Sequence, residues 1–140
     1  MPTLEDAILL AAQAHRGQVD KVGRPYLLHV LRVMLRLDGE QAQIVGVLHD
    51  LVEDASYTFA DLRAMGYGEE VVQALDCLTR RSTESYKEFI ARASANPLAR
   101  RVKLADLEDN MDIRRLPAIG EKDLARLNRY ITAWQRVKEK

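Results

Sequence analysis

The chain has a single cysteine, few aromatic residues and no long apolar run. Because a disulfide needs two thiols, Cys77 alone excludes an internal disulfide and any zinc cluster built from cysteines. No apolar stretch reaches the ~18 residues that a membrane-spanning helix needs. The N-terminus also lacks the basic-then-apolar pattern of a signal peptide. We therefore expect a cytoplasmic protein with no membrane partner.

The net charge of the chain is zero, because 21 lysines and arginines balance 21 aspartates and glutamates. Without a positive field, binding to a nucleic acid polymer is not expected, so any charged substrate must be attracted by a local arrangement of side chains. The length of 140 residues is typical of one domain. We expect residues 1–140 to form a single domain with an aliphatic core. The oligomeric state does not follow from the sequence.

Helical periodicity dominates the chain, and glycines and prolines separate the periodic segments. Thr3 with Asp6, and Thr58 with Asp61, have the spacing of helix-capping pairs. Strand-like alternation is absent, apart from a small hairpin that residues 18–25 could form. The pattern predicts an all-α bundle of about eight helices, over approximately residues 4–15, 26–37, 40–55, 58–66, 69–79, 85–94, 97–116 and from 121 onward.

The third predicted helix contains the most informative segment. Residues 41–48 have no charged side chain, which is typical of a buried helix, yet His49, Asp50, Glu53 and Asp54 follow directly. Residues four apart lie on the same side of a helix, so these four form one polar sector. Buried ionised groups need a partner, and carboxylates beside an imidazole favour a cation. The alternative is that this end of the helix emerges into solvent.

Two other segments supply similar side chains. His29 lies one turn into the second predicted helix, and Asp106 lies in the seventh, with Asn110 four residues further on. Taken singly, such a histidine is usually a core residue, and such an aspartate is usually solvated. The ordered set of a histidine, a His-Asp doublet and an aspartate is much rarer than its parts.

These residues match the signature of the HD superfamily of metal-dependent phosphohydrolases. More narrowly, the chain resembles the hydrolase domain of the RelA/SpoT alarmone enzymes and the small stand-alone alarmone hydrolases of the metazoan SpoT homologue type. The matching segments are residues 14–18, 25–29, 48–54, 103–106 and 110–111. They occur in register along nearly the whole chain, and the resemblance implies a compact HD-type helical bundle.

The resemblance implies an activity and a metal centre. Enzymes of this family remove the 3′-pyrophosphate of guanosine tetra- and pentaphosphate, and they use manganese. The implied ligands are His29, His49, Asp50 and Asp106, a mixed nitrogen and oxygen set that suits Mn²⁺ or another divalent metal. Glu53 and Asp54 match the catalytic acidic pair, which would handle protons of the attacking water and the leaving oxygen. A solvated or capping pair is the alternative for these two.

A polyphosphate substrate also needs cations and hydrogen-bond donors. The candidate substrate-binding residues are Lys21, Arg24, Asn110, Arg126 and Tyr130, and Lys103 is a further candidate cation. Arg126 and Tyr130 resemble the phosphate-contacting pair of the small hydrolases.

Three positions depart from the family pattern. Asp20 stands where an arginine commonly stacks on the base, and Leu107 and Asp109 stand where an arginine and a histidine are common. If that stacking matters, an arginine at position 20 is expected to increase alarmone turnover. Three hypotheses therefore remain. The first is a manganese-dependent alarmone hydrolase, the second an HD phosphohydrolase for another nucleotide or phosphoester, and the third a non-catalytic regulator that binds a metal or a nucleotide.

Overall fold

The structure, a computed structural model, describes residues 1–139; the side chain of Asp54 also lies outside the described part. Between residues 1 and 139 the chain forms nine α-helices and a short 3₁₀ turn. The helices are α1 (Leu4–Ala14), α2 (Leu27–Leu35), α3 (Glu40–Leu48), α4 (Leu51–Asp54), α5 (Phe59–Ala64), α6 (Glu69–Cys77), α7 (Tyr86–Ala95), α8 (Pro97–Asn110) and α9 (Glu121–Glu139), with the 3₁₀ turn at Ile113–Arg115. The prediction of an all-α bundle is confirmed.

Side-chain caps explain where several helices begin. At α1 the Thr3 hydroxyl accepts from the Asp6 amide, and the Asp6 carboxylate accepts from the Thr3 amide. Such reciprocal bonds satisfy amides that have no partner inside the helix. The predicted capping pairs at Thr3 and Thr58 are both confirmed, and a third opens α7 at Ser85.

The third predicted helix is not continuous. It ends at Leu48, and after His49 and Asp50 the chain resumes a helix as α4. In a continuous helix the Gly46 carbonyl would accept from the amide of residue 50. Instead, Nδ1 of His49 lies 2.6 Å from that carbonyl. The prediction of one helix over residues 40–55 is therefore wrong, because a side chain replaces the backbone donor at this point.

The predicted helix over residues 97–116 also ends early. α8 stops at Asn110, and Asp112 then adopts an extended backbone while its carboxylate accepts from the Arg114 amide. This local side-chain bond competes with continuation of the helix. The loop at residues 18–25 closes through one antiparallel bridge between Val19 and Pro25.

The buried side chains form two clusters. The larger lies between α1, α2, α3 and α6 and includes residues of α5, α7 and α8. α2 and α3 pack closely at Gly46, where a methyl group would lie 2.7 Å from Cδ1 of Leu37. The smaller cluster joins α7, α8 and α9. No helix within residues 1–139 is long and apolar enough to span a membrane. The single domain over residues 1–140 stays a prediction.

Candidate metal centre and adjoining cavity

Two imidazoles and two carboxylates meet at one buried point. Nε2 of His29, on α2, lies 3.0 Å from Oδ1 of Asp106, on α8, and Nε2 of His49 lies 3.3 Å from the same oxygen. Oδ2 of Asp50 lies 3.0 Å from Nε2 of His49 and 3.7 Å from Nε2 of His29. One side-chain nitrogen or oxygen atom each of His29, His49 and Asp106 lies within 4.8 Å of the other two. The break between α3 and α4 lets the adjacent His49 and Asp50 both contribute to this point.

The outer nitrogens of both rings are engaged away from the centre. Nδ1 of His49 donates to the Gly46 carbonyl, because a carbonyl oxygen can only accept. Nδ1 of His29 lies 2.7 Å from Oδ2 of Asp109. Metal-binding histidines commonly donate their second N–H in this way to a carboxylate or a carbonyl, which orients the other nitrogen as the ligand. Nε2 of His49 is buried and has no hydrogen-bond partner in the described part of the chain. The residues present therefore fit a metal ion.

The carboxylates of Asp106 and Asp50 accept hydrogen bonds from neighbouring side chains. Lys103 donates to Oδ2 of Asp106 at 2.8 Å, and the Asn110 amide donates to Oδ1 at 3.1 Å. The Tyr26 hydroxyl donates to Oδ2 of Asp50. The Lys103 ammonium also lies 4.9 Å from the centre of the Phe89 ring. Lys103 is thus buried as a partner of Asp106 and does not line the cavity described below, unlike its prediction as a substrate cation.

The electrostatics of the centre favour a positive charge. Burial lowers the pKa of His49, but the carboxylates of Asp50 and Asp106 outweigh burial and raise that pKa well above its ordinary value. The pKa of His29 is raised in the same way by Asp106 and Asp109 against the effect of burial. Burial disfavours the Asp50 carboxylate, yet His49 lowers its pKa to about 2. The two carboxylates therefore stay ionised around a point where a cation is stabilised.

Asp109 has a supporting role that the sequence analysis did not identify. Its side chain is fully buried, and Oδ1 accepts from Nε of Arg32 at 2.8 Å. Asp106 and Asp109 lie three residues apart on α8 and therefore on neighbouring positions of one helix face. That spacing was the available signal. The sequence could not show that His29 would lie opposite.

A cavity of about 240 Å³ adjoins the centre and includes His29 in its wall. Four of the five predicted substrate-binding residues line it, namely Lys21, Asn110, Arg126 and Tyr130. The fifth, Arg24, does not line it. Arg24 is exposed, and its backbone closes the loop. Its amide donates to Oδ1 of Asp20, and its carbonyl accepts from the Asp20 amide.

Asp20 has a structural role in that loop. Its Oδ1 accepts from the amides of Val22 and Arg24 at 3.0 and 2.9 Å. Its Oδ2 lies 3.9 Å from Nη1 of Arg115, a second cavity-lining guanidinium that the sequence analysis did not single out. The negative charge at position 20 is thus directed to backbone donors and to a cation.

The predicted catalytic pair lies on α4, which begins directly after Asp50, a predicted ligand. The Glu53 side chain is exposed, and it does not line the cavity. The prediction for Asp54 falls on a side chain outside the described part. Glu53 is therefore three residues from Asp50 along the chain, and the catalytic role of Glu53 and Asp54 stays a prediction.

Searches for similar proteins find relatives by sequence, although no family model matches the chain. The chain is 32% identical to a GTP pyrophosphokinase of Myxococcus xanthus over 89% of its own length and 18% of that protein. It is 31% identical to the bifunctional (p)ppGpp synthase/hydrolase SpoT of Escherichia coli K12, over 77% of the chain and 17% of SpoT. It is 28% identical to a guanosine-3′,5′-bis(diphosphate) 3′-pyrophosphohydrolase of Aquifex aeolicus, again over 77% of the chain and 17% of that protein.

A solved structure shares the fold. The chain superimposes with a TM-score of 0.75 on a metazoan orthologue of SpoT, a protein described as hydrolysing ppGpp and acting in starvation responses. The two are 25% identical, and the match covers 96% of this chain and 82% of the other. The chain spans less than a fifth of the length of the curated relatives it matches. The predicted resemblance to the RelA/SpoT hydrolase domain and to the small alarmone hydrolases is confirmed.

Proposed function

We propose that this chain is a metal-dependent phosphohydrolase that removes the 3′-pyrophosphate of guanosine tetra- or pentaphosphate, or of a closely related nucleotide. The observation that supports hydrolysis most directly is the convergence of His29, His49, Asp50 and Asp106 on one buried point. The described activities of the relatives and of the metazoan SpoT orthologue support the substrate class.

The four converging side chains would hold the metal, and we propose Mn²⁺. Two imidazoles and two carboxylates without a thiolate form a mixed nitrogen and oxygen set, which manganese accepts, although other divalent metals accept it too. The chemistry supplied by a divalent ion at such a centre is polarisation of a phosphoryl oxygen and a lower pKa for bound water. The protein's own contribution is to fix both rings through their outer nitrogens, so that each Nε2 faces inward.

Glu53 and Asp54 are proposed to handle protons. A carboxylate next to the scissile group can accept a proton from the attacking water and later deliver one to the leaving 3′-oxygen. Both residues follow Asp50 on the short helix α4, and Glu53 is exposed to the solvent that supplies the water. Their position three and four residues after Asp50, a proposed ligand, supports this assignment.

The substrate is proposed to occupy the cavity beside His29. Lys21 and Arg126 offer positive charge to phosphate oxygens, while Asn110 and Tyr130 offer neutral donors. Because Asn110 also donates to Asp106, one residue touches both the cavity and the metal centre. The scissile pyrophosphate would therefore lie at the His29 end of the cavity.

Release of pyrophosphate from ppGpp by the purified chain, measured with and without Mn²⁺, tests the proposal. We expect turnover only with the metal. The substitutions Glu53→Gln and Asp54→Asn are each expected to lower kcat by about 10²-fold or more, because general acid-base groups contribute on that scale. Their Mn²⁺ affinity, measured by calorimetry, should stay within about twofold of the parent chain.

Glu70→Gln is the matched control, because Glu70 is exposed on α6 and bonds only to Gln41 among the contacts described for it. This variant should keep its turnover. Manganese-loaded chain that leaves ppGpp intact would contradict the proposal. Tight ppGpp binding without turnover under any divalent metal would instead support a non-catalytic regulator.

A phosphohydrolase for another nucleotide is the second candidate, and Asp20 is the observation that favours it. No cation stands at the position where the alarmone hydrolases commonly stack an arginine on the base. A panel of nucleotides, assayed for phosphate and pyrophosphate release, separates the two candidates. Faster cleavage of a different nucleotide would favour the second. A cytoplasmic location stays a prediction.

A further inference from the structure

The cavity beside His29 contains two guanidinium groups with an unused donor. Nε of Arg115 and Nε of Arg126 are both buried, and neither has a hydrogen-bond partner in the described part of the chain. Both residues line this cavity. Buried polar groups are almost always paired, and a buried donor without an acceptor costs roughly 1–3 kcal/mol. Two such donors on cations in one cavity indicate an anion with several acceptor oxygens.

Arg115 is held in a particular way. Its Nη2 donates to the Asp109 carbonyl at 2.7 Å and lies 3.5 Å from Oδ2 of the same residue. Its Nη1 lies 3.9 Å from Oδ2 of Asp20, beyond hydrogen-bond distance. One edge of the guanidinium is thus anchored to the residue that supports His29. Among residues 1–139, Nε has no acceptor, and the contact described for Nη1 is the long ion pair with Asp20.

Three positive side chains of this cavity, Lys21, Arg115 and Arg126, lie close together. Burial lowers the pKa of Lys21, and the positive charge of Arg126 and of Arg115 lowers it further against the opposing effect of Asp123. Arg115 and Arg126 are therefore close enough to repel the Lys21 ammonium, which Asp20 and Asp123 attract. A polyphosphate would relieve this repulsion, because several phosphate oxygens can accept from all three cations.

We propose that Arg115 is a substrate-binding residue, and that Nε and Nη1 of its anchored guanidinium donate to the phosphate group of the nucleotide that is not hydrolysed. Arg126, whose Nη2 donates to Oδ1 of Asp123, offers its Nε to the same phosphate group from α9. This inference rests on the proposed function for the identity of the substrate, but the anion site itself does not depend on turnover. Through Asp109, the bound phosphate is connected to the outer nitrogen of His29.

Binding of inorganic pyrophosphate and of guanosine 5′-diphosphate to the full chain without metal, measured by calorimetry, tests the anion site. We expect Arg115→Ala to weaken both by about 10- to 100-fold, the range for charge-assisted hydrogen bonds. Arg114→Ala is the matched control. Arg114 lies in the same 3₁₀ turn, but its side chain is 85% exposed and pairs with Asp112. This control should bind both probes within about twofold of the parent chain.

Kinetics with ppGpp and Mn²⁺ separate binding from positioning. If Arg115 binds substrate, Arg115→Ala raises KM by about tenfold or more, while kcat and Mn²⁺ affinity stay within about threefold. If Arg115 only positions Asp109, Mn²⁺ affinity and kcat fall while KM is unchanged, and the proposal is overturned. Should Arg115→Ala fail to fold, Arg115→Gln keeps a neutral donor for the Asp109 carbonyl and is expected to lose pyrophosphate binding all the same.

The two proposals fail differently. A parent chain that binds pyrophosphate through Arg115 but does not cleave ppGpp would retain the anion site and reject the alarmone hydrolase. A parent chain that cleaves ppGpp while Arg115→Ala and Arg114→Ala behave alike would support the alarmone hydrolase and reject the anion site at Arg115. A parent chain that binds neither probe overturns the anion site.

Discussion

Nδ1 of His29 and Oδ2 of Asp109 are 2.7 Å apart although 80 residues separate them in the chain. This bond joins α2 to α8, and it determines which nitrogen of His29 faces the candidate metal centre. Arg32, one turn after His29, donates to the same carboxylate from its own helix. Two residues of α2, His29 and Arg32, therefore hold the Asp109 carboxylate in place.

Asp109→Asn should weaken metal binding without removing a ligand. The amide can still contact His29, but it loses the negative charge that stabilises the outer N–H and pairs with Arg32. Loss of such a supporting partner typically lowers metal affinity by ~10- to 100-fold. Calorimetric titration with Mn²⁺ measures the change. Glu108→Gln, a change at the exposed neighbouring position, should leave the affinity unchanged, and equal effects of the two would contradict the prediction.

Removing the Asp106 charge should destabilise the chain even in the presence of a chelator. Asp106→Asn leaves the buried ammonium of Lys103 without its carboxylate. Breaking one side of a buried ion pair costs roughly 3–5 kcal/mol. Urea unfolding in EDTA should show this loss, and Lys103→Met with Asp106→Asn should recover part of it. Asp38→Asn, on the surface, should change stability by less than about 0.5 kcal/mol. A double variant less stable than Asp106→Asn alone would argue against the ion-pair explanation.

Stability should fall in acid through Glu84. Hydrogen bonds from Arg92 lower the pKa of this carboxyl from 4.5 to about 2 in the folded chain. A carboxylate with a lowered folded pKa stabilises the fold above its unfolded pKa, and the contribution disappears as pH falls toward the folded pKa. Because solvent screens the pair, we expect about 1 kcal/mol from it.

Urea unfolding of Glu84→Gln at pH 6 and pH 3 checks this contribution. The variant should be less stable than the parent at pH 6, and the difference should narrow at pH 3. Glu69→Gln is the control, because Glu69 pairs with Arg63 on the open surface. A Glu84→Gln difference that is the same at both pH values would exclude the Arg92 pair as its cause.

Asp20→Arg is expected to impair the chain, which reverses the expectation from the family pattern alone. The substitution removes the acceptor for the amides of Val22 and Arg24, and it adds a cation beside Arg115. We expect a lower melting temperature and a higher KM for ppGpp. Asp20→Asn keeps an acceptor oxygen for both amides and should retain the melting temperature within about 2 °C, because a change of under ~0.5 kcal/mol shifts it little. A faster Asp20→Arg variant would restore the base-stacking argument.

The sequence predicted what is local and missed what depends on contacts between distant segments. Helix starts at Thr3 and Thr58 follow from side chains three residues away, and His29, His49, Asp50 and Asp106 follow from short motifs. The roles of Asp109 and Arg115 depend on contacts between segments, so no motif marked them. The interruption at His49 depends on how one imidazole turns toward a carbonyl, which periodicity does not record.

The cavity beside His29 is lined by residues of α2 and of α9, and these two helices pack into different buried clusters. His29 lies on α2, whose buried residues Val30 and Val33 belong to the larger cluster. Arg126 and Tyr130 lie on α9, whose buried residues Ala133 and Val137 belong to the smaller one. Mutations on α9 can therefore reshape the α9 side of the cavity while His29, His49, Asp50 and Asp106 keep their supports. A change in what the cavity accepts could arise on one helix without disturbing the buried centre on the others.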